Sequence, residues 1–284
     1  MFDLFAAAPV DVRKARLADY RQYLVERDGE VNLHDMTLSR REAAMKRFET
    51  PPALSRRLDE AQFRANYASF DKKRPPTEEM TLLLALVKTN AAEAYGVSRS
   101  IQKAMQHALR SDDDVELRIL VEESYHTRIL LSSANHYGLQ VTDAYHPPSA
   151  LRIMIGGIAG TPPSISRPLV LASEILGTLL FVKLLDVTRR VLKHDAETRD
   201  AIEERLVEIC TDERGHISYN RMLSGSAALA QTRLILPLVS RGLANVLPEV
   251  VALGAYPTDL WRELPLLADP KRLPEVVRRQ SFVA

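Results

Sequence analysis

The chain has 284 residues, and its 46% hydrophobic content is enough to fill a substantial core. Its 38 lysines and arginines oppose 37 acids, so no overall field recruits nucleic acid or an anionic membrane surface. The lone cysteine, Cys210, excludes an internal disulfide and any cysteine-built zinc or iron-sulfur site, and fits a reducing cytoplasm.

The first ten residues carry Asp3 and no basic region ahead of a hydrophobic stretch, so they do not read as a secretion signal. Residues 1–76 are expected to be peripheral helices, with helical spacing of apolar positions over Val12–Arg27 and Leu38–Phe48 and a stop at Pro51-Pro52. Thr77 followed by Glu78 and Glu79 starts a long helix to about Leu109, with the acids placed against the helix dipole. Asp112-Asp113-Asp114 cap a second helix, which runs to about Tyr137 and stops at Gly138.

A proline- and glycine-rich connection follows from Leu139 to Arg167. Its Gly156-Gly157-x-x-Gly160 cluster has no strand before it and does not read as a phosphate loop. Ser166 as a cap and Pro168 in the first turn open a third helix to about Leu192, and Asp195 caps a fourth to about Leu223, before Gly225. A further apolar helix spans Ala227–Val246, kinked at Pro237, and the tail carrying Trp261 wraps it. Strand signals are sparse, so the expected fold class is all-α. The apolar run Leu169–Leu185 is short for a membrane span and holds two charges, so a soluble protein with no membrane partner is expected.

Two segments stand out. Asp212-Glu213-Arg214-Gly215-His216 and Glu122-Glu123-Ser124-Tyr125-His126 each place a glutamate three residues before a histidine, so that on a helix carboxylate and imidazole lie side by side and can grip one metal ion. Each follows a helix with a glutamate embedded in apolar sequence, Glu93 before the first pair and Glu174 before the second. A carboxylate drawn out of water needs a partner, and Glu174 has no basic residue near it in sequence. The order Glu, Glu-x-x-His, Glu, Glu-x-x-His is that of two-metal carboxylate centres in helical bundles.

This pattern resembles the ferritin-like carboxylate-bridged di-iron family over roughly Thr77 to Leu223. The resemblance implies a four-helix bundle over 77–224 with a long crossover between its second and third helices. Residues 225–284 are then a C-terminal helix and tail packed on it, within one globular domain. It implies that Glu93, Glu123 and His126 hold one iron and Glu174, Glu213 and His216 the other, with Glu123 and Glu213 as bridges and manganese as the other metal the ligands suit. Glu122 and Asp212 match outer carboxylates that accept hydrogen bonds from the opposite ligand histidines, Glu122 from His216 and Asp212 from His126.

Thr178, one turn after Glu174, resembles the threonine that bacterial multicomponent hydroxylases place over the oxygen-binding face. A core threonine bonded back to its own helix is the alternative. Gly96 and Gly177 each follow a ligand glutamate by three residues and, with Ile209 and Cys210, are candidates for lining a substrate pocket. Leu130 stands where a radical-forming reductase subunit has its tyrosine. Partial resemblance extends to the stand-alone arylamine N-oxygenases, although Ile209 occupies the place of their third histidine. The expectation is an oxygen-dependent di-iron enzyme that hydroxylates, desaturates or N-oxidises a small organic molecule, with electrons from an external reductase or ferredoxin, and bundles of this kind often form homodimers. A ferroxidase or a manganese catalase-like protein is the alternative.

Overall fold

The computed structural model describes the chain except residues 1–2, 53–56, 90, 107–114, 142–145, 148, 150–151, 154, 157–160, 256, 270, 272 and 284, and except the side chains of a few helical positions, residues 92 and 93 among them. The expected Asp112-Asp113-Asp114 cap and the glycines Gly157 and Gly160 lie outside the described residues. Helices dominate what is described, in agreement with the all-α expectation. The only strands among the described residues are the two-residue β1 (Val31–Asn32) and β2 (Thr37–Leu38), which pair antiparallel with Val31 opposite Leu38.

The helices are α1 (Val10–Asp28), α2 (Ser39–Glu49), α3 (Glu60–Ala68), α4 (Glu78–Thr89), α5 (Ala91–Gln106), α6 (Val115–Leu131), α7 (Pro163–Val191), α8 (Ala196–Leu223), α9 (Ser226–Val246), α10 (Pro248–Ala252), α11 (Pro265–Ala268) and α12 (Glu275–Gln280). Two 3-10 segments, Ser132–Tyr137 and Pro257–Glu263, also occur among the described residues. The chain forms two compact units, one of residues 1–23 with 161–284 and the other of residues 24–160.

In the first unit α7 and α8 form a long hairpin joined through Leu192–Asp195, and α9 packs on α7. The 3-10 segment that carries Trp261 lies against α9 and α7, as the wrapping tail was expected to do, and α12 lies against α8. Asp195 caps α8 as the sequence suggests, its carboxylate accepting from the Thr198 amide at 3.1 Å. The opening of α7 differs from the expectation. The helix starts at Pro163, whose missing N–H costs nothing in a first turn, so Ser166 lies within the helix, donates its hydroxyl to Pro162 O at 3.3 Å and caps nothing. Pro168 is likewise interior. The segment Ile165–Val191 is long and apolar enough to cross a membrane, but 72% of its most apolar window is buried inside the protein, under α8 and α9.

In the second unit α6 packs against α5, α4 and α2, with α3 on α4. Met80 to Lys88 of α4 are buried on every side. Lys88 is accommodated because its ammonium donates to Asn66 O at 3.3 Å and stands 5.7 Å from the centre of the Tyr67 ring. Thr77 caps α4 by accepting from the Met80 amide at 3.3 Å. The second predicted helix ends where expected, α6 tightening into the 3-10 turn and stopping at Gly138, whose φ of 65° is the left-handed conformation glycine adopts without a Cβ penalty.

Replacing Asp195 by alanine orphans the Thr198 amide at the start of α8 and is expected to cost about 1 kcal/mol of stability. Urea unfolding of the metal-free protein checks this as a lower midpoint at an unchanged slope.

Candidate metal centre

The long hairpin of the first unit brings three of the expected ligands together. Glu174 of α7 and Glu213 and His216 of α8 each offer a ligand atom, and these atoms lie within 4.8 Å of one another. Glu213 and His216 are three residues apart on one face of α8, so the helix period alone sets them side by side, and the packing of α7 on α8 supplies Glu174. Nδ1 of His216 stands 3.8 Å from Oε2 of Glu174.

The surroundings are dry. His216 is fully buried, Glu213 is 1% exposed, and the Glu174 side chain is 9% exposed. Oε2 of Glu174 accepts no hydrogen bond. An ionised carboxylate so placed costs on the order of several kcal/mol unless a cation answers it. Two carboxylates and an imidazole form a mixed oxygen and nitrogen donor set that fits a divalent ion such as iron or manganese. Asp212, the acid before Glu213, is buried at 2% exposure.

The second unit repeats the half-site on α6. Glu122, Glu123 and His126 are all buried there, with Oε2 of Glu123 2.9 Å from Nδ1 of His126. Glu93 lies on α5, the helix that packs on α6, and its side chain is outside the described residues.

The rotation of α6 is fixed from its other side. Tyr125, buried, donates its hydroxyl to Glu42 of α2 at 2.9 Å and accepts from the Leu38 amide at 3.1 Å. Arg128 grips the same Glu42 carboxylate with both terminal nitrogens, at 2.7 and 3.0 Å, and donates to Glu49 at 2.8 Å. Burial pushes the Tyr125 hydroxyl up to about 12, helped by the neighbouring Glu42 carboxylate. The hydrogen bond from Arg128 holds Glu42 below the usual carboxylate range, and that same bond raises the guanidinium. Tyr125 precedes His126 by one residue, roughly 100° round the helix, so anchoring the tyrosine sets the direction of the imidazole. The sequence reading did not assign this role to Tyr125, because its partners are more than eighty residues away.

Other expected residues resolve individually. Thr178 is fully buried and donates its hydroxyl to Glu174 O at 2.8 Å, the bond of a core threonine to its own helix. A Cβ added at Gly177 would meet nothing within 4 Å, so open space lies beside α7 one turn after Glu174. Gly96 is closer packed, since a Cβ there would come within 3.1 Å of Ile155. Ile209 and Cys210 are both fully buried. Burial also lowers the neighbouring cations of α8, with Arg205 pushed down to about 10 and Arg214 shifted the same way.

No family model matches the chain, and neither a curated protein nor a solved structure does. Its class therefore rests on its own geometry, that of a helical protein with a buried cluster of glutamates and histidine that could hold a metal ion.

If Glu174 is kept for a cation, its neutral isostere relieves the metal-free fold. Glu174→Gln is expected to stabilise the metal-free protein by about 1–3 kcal/mol and to abolish the rise in melting temperature that ferrous or manganous ion brings to the wild type. Differential scanning calorimetry with and without metal reads both effects.

Glu42 gives a pH test. Its folded-state pKa lies below the ordinary 4.5, so its pairing with Arg128 stabilises the fold above that pH and the contribution fades as pH falls through it. The stability gap between wild type and Glu42→Gln is expected to be constant near neutrality and to shrink from about pH 5 towards pH 3. Urea midpoints across that range measure the gap.

Proposed function

We propose that the protein is a non-haem di-iron oxygenase that uses dioxygen to hydroxylate, desaturate or N-oxidise a small organic molecule. The observation that carries this reading is the buried, mutually close set of Glu174, Glu213 and His216, in which a carboxylate oxygen has no hydrogen-bond donor. The same Glu-x-x-His arrangement on α6 supports a two-metal centre rather than a single ion.

In this proposal the chain is a ferritin-like bundle that supplies two half-sites. Glu93, Glu123 and His126 would hold one metal ion and Glu174, Glu213 and His216 the other, with Glu123 and Glu213 as the bridging ligands. Glu122 accepts from His216 and Asp212 from His126, each outer carboxylate fixing the tautomer and ring direction of a ligand imidazole. Bound iron would supply the electrons that activate dioxygen. The chain contributes the rest. Apolar neighbours such as Ile209 and Cys210 exclude water, and the space beside Gly177 admits the substrate. Thr178, with its proton directed to Glu174 O, can only accept at the site unless it rotates.

Cofactor reduction would come from an external reductase or ferredoxin, since no flavin or nicotinamide motif is legible in the sequence. We place the protein in the cytoplasm on the strength of its single buried cysteine, and a homodimer is its expected assembly.

The test is reconstitution. The metal-free protein, loaded anaerobically with ferrous ion, is expected to bind two ions per chain by elemental analysis, and Glu174→Ala or His216→Ala to lose at least one. On exposure to air, oxygen uptake coupled to oxidation of an added organic substrate supports the oxygenase. Rapid disproportionation of peroxide by the manganese-loaded protein, or iron oxidation indifferent to any organic substrate, points instead to a catalase-like protein or a ferroxidase. Less than one metal per chain sinks the reading altogether.

A further inference from the structure

A glycine stands inside α8 between Glu213 and His216, where it weakens the helix relative to alanine. The structure gives its reason. A Cβ on Gly215 would lie 3.1 Å from both Cε2 and the hydroxyl oxygen of Tyr20 in α1, closer than a side-chain carbon ordinarily packs. The Tyr20 ring therefore rests on the bare backbone that joins the two ligand residues.

From there the aromatic contacts continue. Tyr20 is buried at 1% exposure, and its ring centre is 5.6 Å from that of Tyr219, which follows His216 by three residues on α8. Tyr23 stacks with Tyr20 at 6.0 Å with an interplanar angle of 17°, and Phe282 lies 5.0 Å from Tyr20 and 5.6 Å from Tyr23. Tyr23 is half-buried and donates its hydroxyl to Gln280 O at 2.9 Å. A continuous set of rings thus leads from the ligand-bearing backbone to the surface, within one compact unit.

Packing asks for ring volume, and the Tyr23 hydroxyl in addition ties α1 to the C-terminal segment through Gln280 O. Three of the four rings here are tyrosines, and a phenol differs from a phenyl ring in giving up one electron far more readily, provided its proton can leave. The path also starts at a backbone bonded covalently to His216, so little empty space separates it from the ligand.

We propose that Tyr20 and Tyr23 form a safety path that carries oxidising equivalents away from the metal centre when oxygen is consumed without substrate. The proposal rests on the oxygenase reading of the site. With metal bound and oxidised by oxygen, Tyr20 would relay one electron to the centre from Tyr23 while keeping its own phenolic proton, with Tyr219 as a side entry. The net change is one electron gained at the centre and one O–H bond broken at Tyr23, whose proton passes to surface water. A soluble thiol or ascorbate then restores the phenol by returning one electron and one proton, and is itself oxidised.

The experiment compares wild type with Tyr20→Phe and Tyr23→Phe, which keep the rings and remove only the hydroxyls. Iron content and oxygen uptake are measured first. The iron-loaded proteins are then exposed to air without organic substrate, freeze-quenched for electron paramagnetic resonance, and digested for mass-spectrometric mapping of oxidised residues. The wild type is expected to give a tyrosyl signal and oxidation at Tyr23. Both variants are expected to take up oxygen at the wild-type rate while losing the Tyr23 signal, with several-fold more oxidation at Cys210 and His216. Normal oxygen uptake with no tyrosyl signal in the wild type, or with the same oxidation map in all three proteins, overturns the safety path and leaves the oxygenase standing. Failure to bind iron or consume oxygen removes both.

Discussion

Taking charge out of water is the constraint on which the arrangement of α7 and α8 depends. Glu213 and His216 are as dry as the leucines around them, and Glu174 is nearly so, with an oxygen that no donor reaches. A fold selected only for stability would place apolar side chains at these positions, because a buried ion without its partner is costly. The groups are held by a tightly packed hairpin, with Leu171, Ile175, Leu176 and Leu179 of α7 and Ile202, Leu206 and Ile209 of α8 buried nearby. Apolar burial along two long helices offsets the cost of three polar ones.

The second unit meets the same constraint with a different support. Its acids and histidine lie on a shorter helix, and α6 is held in rotation by the Tyr125, Glu42 and Arg128 set on its far side. The hydrogen bonds of that set are partly exposed, so their value lies more in direction than in stability. A helix free to roll by a few tens of degrees would carry Glu122, Glu123 and His126 off the positions a metal requires, and ligand geometry tolerates little error.

Much of the architecture was legible because it follows from local rules. Asp195 and Thr77 cap helices where their side chains can reach free amides, and Gly138 ends a helix where a left-handed residue is needed. The start of α7 was misplaced because two prolines, Pro163 and Pro168, each satisfy the rule for a first turn, and only the packed helix distinguishes them. The short helix α3 and the two-residue strands went unassigned for want of periodicity over so few residues.

At the candidate site the sequence by itself determined the spacing. Three residues between glutamate and histidine on a helix fix their relative position through the helical repeat, whatever the rest of the chain does. Only the tertiary structure decided that Glu174 meets the Glu213 and His216 pair, that Thr178 gives its proton to its own helix, and that Gly215 exists to admit Tyr20. Those contacts join residues up to about two hundred positions apart, and no local repeat encodes them. They are set by which faces of α1, α7 and α8 shed water against one another.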